Sequence, residues 1–284
     1  MIDSRKLAAV WGAASIALAA LSGAALADGY EEYGAPPPPA DEGRKFTYSF
    51  NLAGTSDYIF RGYSQSAREA VPQGGADITY GMLYLGVWAS GIEFGASPPT
   101  GLGEDAQVEI DWYGGITPTW GPATFNFGVI YYNYPGAGDF LTELDYVELK
   151  AGVSGTLHQN LTTGITVYWS PEYTAETGSV WTIEGAAGYE FHKVHIFTPS
   201  ITGVLGFQTG DEAAWQALFA NGDDNYLYWN AGLVLAVDNI SFDFRYWDTN
   251  VSNSNAALGT TNFCNGALFQ CDAAFVFTAK VAVP

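Results

Sequence analysis

Residues 225–247 read NYLYWNAGLVLAVDNISFDFRYW, two alternating runs separated by Asp238-Asn239. In the first run Leu227, Trp229, Ala231, Leu233, Leu235 and Val237 share one face. In the second, Ile240, Phe242, Phe244 and Tyr246 oppose Ser241, Asp243, Arg245 and Trp247. Successive side chains of a strand point to opposite faces, so each run has an apolar side and a more polar side. The stretch therefore predicts an antiparallel hairpin, apolar on one side and charged on the other.

The same period of two begins at Phe46 and returns along the chain. Phe46, Tyr48, Phe50 and Leu52 alternate with Thr47, Ser49 and Asn51, and the last run sets Phe275, Phe277, Ala279, Val281 and Val283 against Thr278 and Lys280. About twelve such segments are predicted, at 46–63, 72–80, 83–94, 105–116, 123–133, 143–155, 161–170, 179–190, 200–208, 225–237, 240–247 and 273–283. Pro72, Pro98, Pro99, Pro118, Pro122, Pro135, Pro171 and Pro199 fall at segment ends or between segments, as expected of a residue that cannot donate to a ladder. Short connections such as Gly81-Met82 and Asp238-Asn239 alternate with long ones such as 95–104, 209–224 and 248–272. Short turns at one end and long loops at the other are the layout of a membrane barrel.

Composition agrees. Hydrophobic residues make up 48 % and aromatics 15 %, with 34 glycines. Yet beyond the N-terminus no apolar run approaches the ~18–20 residues of a membrane helix. Strands that show lipid only every second residue reconcile the two facts. The fold expected is all-β, a transmembrane antiparallel barrel of residues 46–284. The net charge of −20 argues against nucleic-acid binding, which needs a basic footprint.

The N-terminus sets the compartment. Arg5 and Lys6 precede an Ala/Leu-rich stretch ending in Ala25-Leu26-Ala27, the pattern of a cleaved signal peptide over 1–27. Residues 28–45 carry Pro36 to Pro39 and read as a proline-rich periplasmic tail. In an exported chain, Cys264 and Cys271 are expected to form a local disulfide.

Residues 55–66 read TSDYIFRGYSQS, followed by Gln73-Gly74-Gly75, Asp77, LYLGVWASGIEF at 83–94, and Glu109 with Asp111. Tyr131-Tyr132 before Pro135-Gly136, and Tyr168-Trp169-Ser170-Pro171-Glu172-Tyr173, continue the pattern. Across 46–283 the chain resembles the TorF family of porins, proteobacterial outer-membrane β-barrels. That resemblance implies a barrel passing solutes and brings no substrate and no catalytic residue. One departure is the ending Val281-Ala282-Val283-Pro284, where many barrels carry an aromatic residue read by the barrel-assembly machinery.

Charges on the lipid side of a barrel cost about 2–4 kcal/mol at midplane for Arg or Lys, so the charged residues of the strands belong inside. The lumen-lining candidates are Asp57, Arg61, Asp77, Glu109, Asp111, Glu148, Lys150, Glu184, Glu190, Asp243, Arg245 and Lys280, eight acidic against four basic. One reading is a cation-favouring lumen; the other is a set of cross-strand pairs that hold a filled barrel together. Trp112, Trp120, Trp169, Trp181, Trp229 and Trp247 suit an interface girdle, while Tyr132, Tyr168 and Tyr228 point inward. In the loop 209–224, Trp215, Leu218 and Phe219 share a helical face, with Asp211 able to cap and Asn221-Gly222 able to stop the helix. That helix either enters the barrel mouth as a constriction or packs on the rim.

Enzyme chemistry finds no foothold. His158, His192 and His195 are the three histidines, all placed in short turns, and no GxSxG, HExxH or phosphate-loop motif occurs. Asp223-Asp224-Asn225 lacks the twelve-residue calcium-loop pattern. No cofactor and no metal are expected. The expected function is an outer-membrane porin-like channel for passive diffusion of small hydrophilic solutes, cations preferred, with membrane lipid and the assembly machinery as partners. The alternative is a non-conducting structural or adhesive barrel with a plugged lumen.

Overall fold

The computed structural model describes residues 46–93, 106–137, 143–252, 264 and 270–283. The expected signal peptide at 1–27 and tail at 28–45 lie outside the described residues. The strands are β1 (Phe46–Thr55), β2 (Ile59–Phe60), β3 (Tyr63–Ser64), β4 (Val71–Tyr80), β5 (Leu83–Gly91), β6 (Val108–Ile116), β7 (Thr119–Trp120) and β8 (Ala123–Asn133). They continue with β9 (Tyr146–His158), β10 (Leu161–Ser170), β11 (Val180–Glu190), β12 (Thr198–Gly210), β13 (Asn225–Val237), β14 (Ile240–Thr249) and β15 (Ala274–Val283). Among the described residues, one α-helix, α1 (Ala213–Phe219), lies between β12 and β13, and a short 3₁₀ turn (Thr174–Glu176) lies between β10 and β11.

Every neighbouring pair is antiparallel. β6 pairs with β8, β1 pairs with β15, and the sheet closes into a ring of twelve long strands. Closure leaves no edge, so the backbone donors and acceptors of the ring find partners within the sheet. Eleven of the twelve predicted segments match within three residues at either end. The first does not: the alternation of 46–52 runs on only to Thr55, and residues 59–64 form a separate small hairpin of β2 and β3. The segment 83–94 acquires a definite phase, with Tyr84, Gly86, Trp88 and Ser90 inward and Leu83 and Leu85 outward.

The alternation sorts chemistry by side. Outward residues include Phe46, Tyr48, Phe50, Leu52, Leu85, Val129, Leu149, Ile165, Ile183, Ile201, Leu233, Phe244, Phe275 and Phe277, all exposed, with Phe275 reaching 84 %. Neighbouring outward rings meet across strands, as in Trp169–Trp181 and Tyr246–Phe275. Trp112, Trp120 and Trp181 are exposed outward residues as the girdle reading requires, but Trp247 is buried to 1 % inside the barrel. It shares parity with Asp243 and Arg245, and that parity decides its face. Among the described residues no helix is long and apolar enough to cross a membrane, a statement that does not bear on strands.

Candidate functional site: a hairpin across the barrel interior

The connection after β1 folds inward. Its hairpin turns on Arg61-Gly62, with φ of +49° and +90°, the left-handed pair that a two-residue turn between twisted strands demands. Glycine meets this without penalty; a non-glycine residue there costs of order 1–3 kcal/mol and needs surroundings that enforce it. The enforcement is visible. The Arg61 guanidinium donates from Nη1 and Nη2 to the two carboxylate oxygens of Glu148 at 2.7 Å each. Its carbon lies 4.7 Å from the Phe60 ring centroid and 5.0 Å from that of Tyr168. Tyr132 Oη donates to the same carboxylate at 3.0 Å. Glu148 sits on β9 and Tyr168 on β10, the wall facing β1 across the ring, so the hairpin spans the interior.

The base of the hairpin is equally fixed. Asp57 accepts from Ser64 Oγ at 2.6 Å and from Ser66 Oγ at 3.0 Å, and Ser66 Oγ also accepts from the Tyr58 amide at 2.9 Å. Burial pushes the Asp57 carboxyl above its ordinary value against the pull of those hydroxyls. Tyr58 packs edge-on to Trp88 and donates to Glu109 at 3.1 Å. At the tip, a Cβ on Gly62 would come within 2.3 Å of Thr249 Cγ2; only glycine lets the turn lie this close to β14.

Helix α1 seats itself on this hairpin. Trp215 is fully buried and lies over Gly210, where an added Cβ would meet the indole at 2.5 Å. The same indole stacks near Tyr226, with centroids 6.1 Å apart. Phe219 meets Tyr63 and Tyr173 edge-on, and Tyr63 Oη donates to the Phe219 carbonyl. The helix thus packs into the mouth, with Trp215 and Phe219 as its inward residues; Leu218 stays partly exposed. Its N-cap is Glu212 rather than Asp211, without a side-chain capping bond, while Gly222 at φ +97° donates back to the Gln216 carbonyl at 2.7 Å.

All of the other inward charged candidates except Glu190 are buried. Tyr113 Oη donates to Asp77 at 2.6 Å, Tyr228 Oη donates to Glu184, and Lys150 Nζ lies 5.6 Å from the Tyr84 ring centroid. Nearer the short-turn end, Arg245 donates to Asp243 at 2.6 Å, Asn230 at 2.7 Å and Thr202 at 2.9 Å. Asp111 and Lys280 also face inward, whereas Glu190 sits half-exposed near the end of β11. Of the candidates, Asp57, Arg61, Glu109 and Glu148 meet at the hairpin, Asp243 and Arg245 form this second cluster, and the rest stand elsewhere on the wall. Residues missed on sequence grounds are Tyr63, Gln208 and Tyr226. Tyr226 Oη shares its one proton between the Arg61 carbonyl at 3.1 Å and Gln208 Oε1 at 2.9 Å. Inward parity was the available signal for Gln208 and Tyr226.

His158, His192 and His195 are exposed at the short-turn end, at the opposite end of the strands from the crossing. Among the described residues no group of three or more His, Cys, Asp or Glu could hold a metal ion. Cys264 and Cys271 are joined in a disulfide.

Among solved structures, the chain is similar to the NanC porin in its rhombohedral crystal form, with a TM-score of 0.49 and 10 % identity over 83 % of this chain and 99 % of that one. It is similar to the KdgM porin at 0.47 and 7 %, covering 83 % and 98 %. The outer membrane channel DcaP of Acinetobacter baumannii follows at 0.43 and 8 %, covering 86 % and 99 %. No curated protein matches the sequence. Residues 40–281 match the family described as bacterial protein of unknown function (Gcw_chp), and the chain belongs to that family.

Proposed function

We propose that the protein is a porin-like channel of the bacterial outer membrane, passing small hydrophilic solutes by passive diffusion and favouring cations. The observation that carries this reading is the reversal of polarity across one sheet: exposed Phe, Leu, Ile and Trp outside, buried carboxylates and guanidinia inside. A soluble protein gains nothing from a continuous apolar exterior of this size, whereas lipid demands it together with a closed backbone ladder. An interior with more carboxylates than cationic groups concentrates cations. The exposed carboxylates Glu143, Glu172, Asp223 and Asp224 on the long connections add to that field at the entrance. The resemblance of residues 55–66 to TorF porins supports the same assignment. Lipid, solutes and the barrel-assembly machinery are the partners it entails.

Twelve strands lie between the eight that side chains can fill and the sixteen or more of wide channels. The Arg61–Glu148 crossing would be the narrowest point, and its burial from wall to wall favours a second reading, a non-conducting structural or adhesive barrel. Reconstitution of the refolded chain in a planar bilayer separates the two. Stepwise conductance with a reversal potential on the cation side in a salt gradient is the expected result. Silence at every voltage would leave the plugged barrel.

A further inference from the structure

Residues 270–272, just before β15, hold the base of the inserted hairpin, and Thr249 at the end of β14 meets its tip. The Ser64 amide donates to the Gln270 carbonyl at 2.9 Å, and Arg68, just past β3, pairs with the Asp272 carboxylate and donates to its carbonyl at 3.1 Å. Between these two contacts lies Cys271, bonded to Cys264 seven residues earlier. The Cys271 carbonyl accepts from Thr249 Oγ1 at 3.0 Å, and the methyl of that same threonine lies beneath Gly62 at the hairpin tip. Both cysteines are buried, at 2 % and 1 %, in the cluster that contains Tyr58, Ile59 and Tyr63 of the hairpin.

We propose that the Cys264–Cys271 bond is a clip that keeps the hairpin seated in the lumen, so that opening the bond frees the hairpin and widens the path; the second half of this statement rests on the channel reading. The hairpin carries only two residue pairs of its own ladder, too few to hold a shape alone. Its position is set by what it touches. On the β9 side that is an ion pair; on the β14–β15 side it is backbone and side-chain contacts to Gln270, Asp272 and Thr249. A segment of chain with a covalent cross-link at Cys271 has fewer conformations open to it, and the residues flanking that cysteine are the ones the hairpin uses. Local opening is governed by such local contacts rather than by the stability of the whole barrel.

The chemistry of opening is ordinary exchange. One thiolate of a small dithiol attacks a cysteine sulfur and forms a mixed disulfide. Its second thiolate then closes the reagent's own ring disulfide, and both cysteines are released as thiols.

The test compares the full-length protein, oxidised, with the double variant Cys264→Ser/Cys271→Ser, using hydrogen exchange of peptides covering 58–66 and of β13 as the internal reference. The expected result is exchange at least tenfold faster in 58–66 with β13 unchanged, together with a larger single-channel conductance. Equal protection of 58–66 in the two proteins overturns the clip. Should the variant fail to fold, the folded wild type is reduced with a dithiol until both thiols titrate with a chromogenic reagent. Faster exchange in 58–66 then supports the clip, and unchanged exchange overturns it. Faster exchange with no conductance in any state keeps the clip and overturns the channel.

Discussion

The two ends of the barrel interior differ in what fills them. At the long-loop end, Tyr58, Tyr132, Glu148, Tyr226, Tyr228 and Trp215 are no more than 2 % exposed. At the short-turn end on the β8–β11 side, inward positions hold Thr124, Asn126, Ser154, Thr162, Gly164 and Gly188, half-exposed or exposed. Both ends belong to the same ring of strands. The difference lies in the connections, because wall side chains alone do not fill a twelve-strand lumen and, among the described residues, the long-loop end is the one that receives a hairpin and a helix from outside the wall. The ring sets the width; among the described residues, 56–70 and α1 take up part of it.

The largest effect is expected where the packed end is weakest to truncation. Arg61→Ala leaves the Glu148 carboxylate buried without its counter-ion, and breaking such a pair costs about 3–5 kcal/mol. The hairpin should leave its seat, read as hydrogen exchange over 58–66 faster on the order of a hundredfold. Protection within threefold of wild type would erase the contrast between the two ends. Adding Glu148→Gln to Arg61→Ala should recover part of the loss, since the uncompensated charge is gone.

A smaller change comes from Gly62→Ala. The added methyl would sit 2.3 Å from Thr249 Cγ2 at a φ of +90°, an insertion and a backbone penalty together worth roughly 1–3 kcal/mol. Exchange should rise at the hairpin and stay unchanged in β10 and β11. The smallest effect on stability belongs to the open end. Thr162→Lys places a cation at an exposed inward position and should alter stability by no more than about 0.5 kcal/mol, while moving the reversal potential toward anions. A large loss of stability there would show that the short-turn end is packed after all.

The ring was legible because its signal is redundant. Alternation, proline placement and the rhythm of short and long connections each mark the same strands, and the turns at Gly81-Met82 and Asp238-Asn239 fall where the register puts them. The hairpin hides from the alternation, which carries the predicted first strand on through residues 56–63. Two physical signals stood against that reading. A strand over 46–63 would be nearly twice the ~9–11 residues that cross a bilayer, and Arg61-Gly62 between Ile59-Phe60 and Tyr63-Ser64 has the form of a two-residue turn. The inward charges followed from parity, but their partners did not. Arg61 and Glu148 stand 87 positions apart, and nothing local in either segment names the other. Trp247 shows the cost of letting residue type outrank parity, since a tryptophan near a strand end reads as girdle although its neighbours Asp243 and Arg245 place it inside.

The seam between β1 and β15 has a consequence for biogenesis. Thr55 and Thr278, bonded at 2.9 Å, are separated by 223 positions, so the final pairing of the ring is also its most remote in sequence. Remote pairings are slow to find, because the chain entropy of loop closure is lost before the contact rewards it. Until β15 reaches β1, both strands present unpaired amides and carbonyls, a template for association with other chains. Nascent copies held at high concentration should therefore aggregate through this pair of edges, and a chaperone or catalyst that shields them would act on β1 and β15 before any other strand.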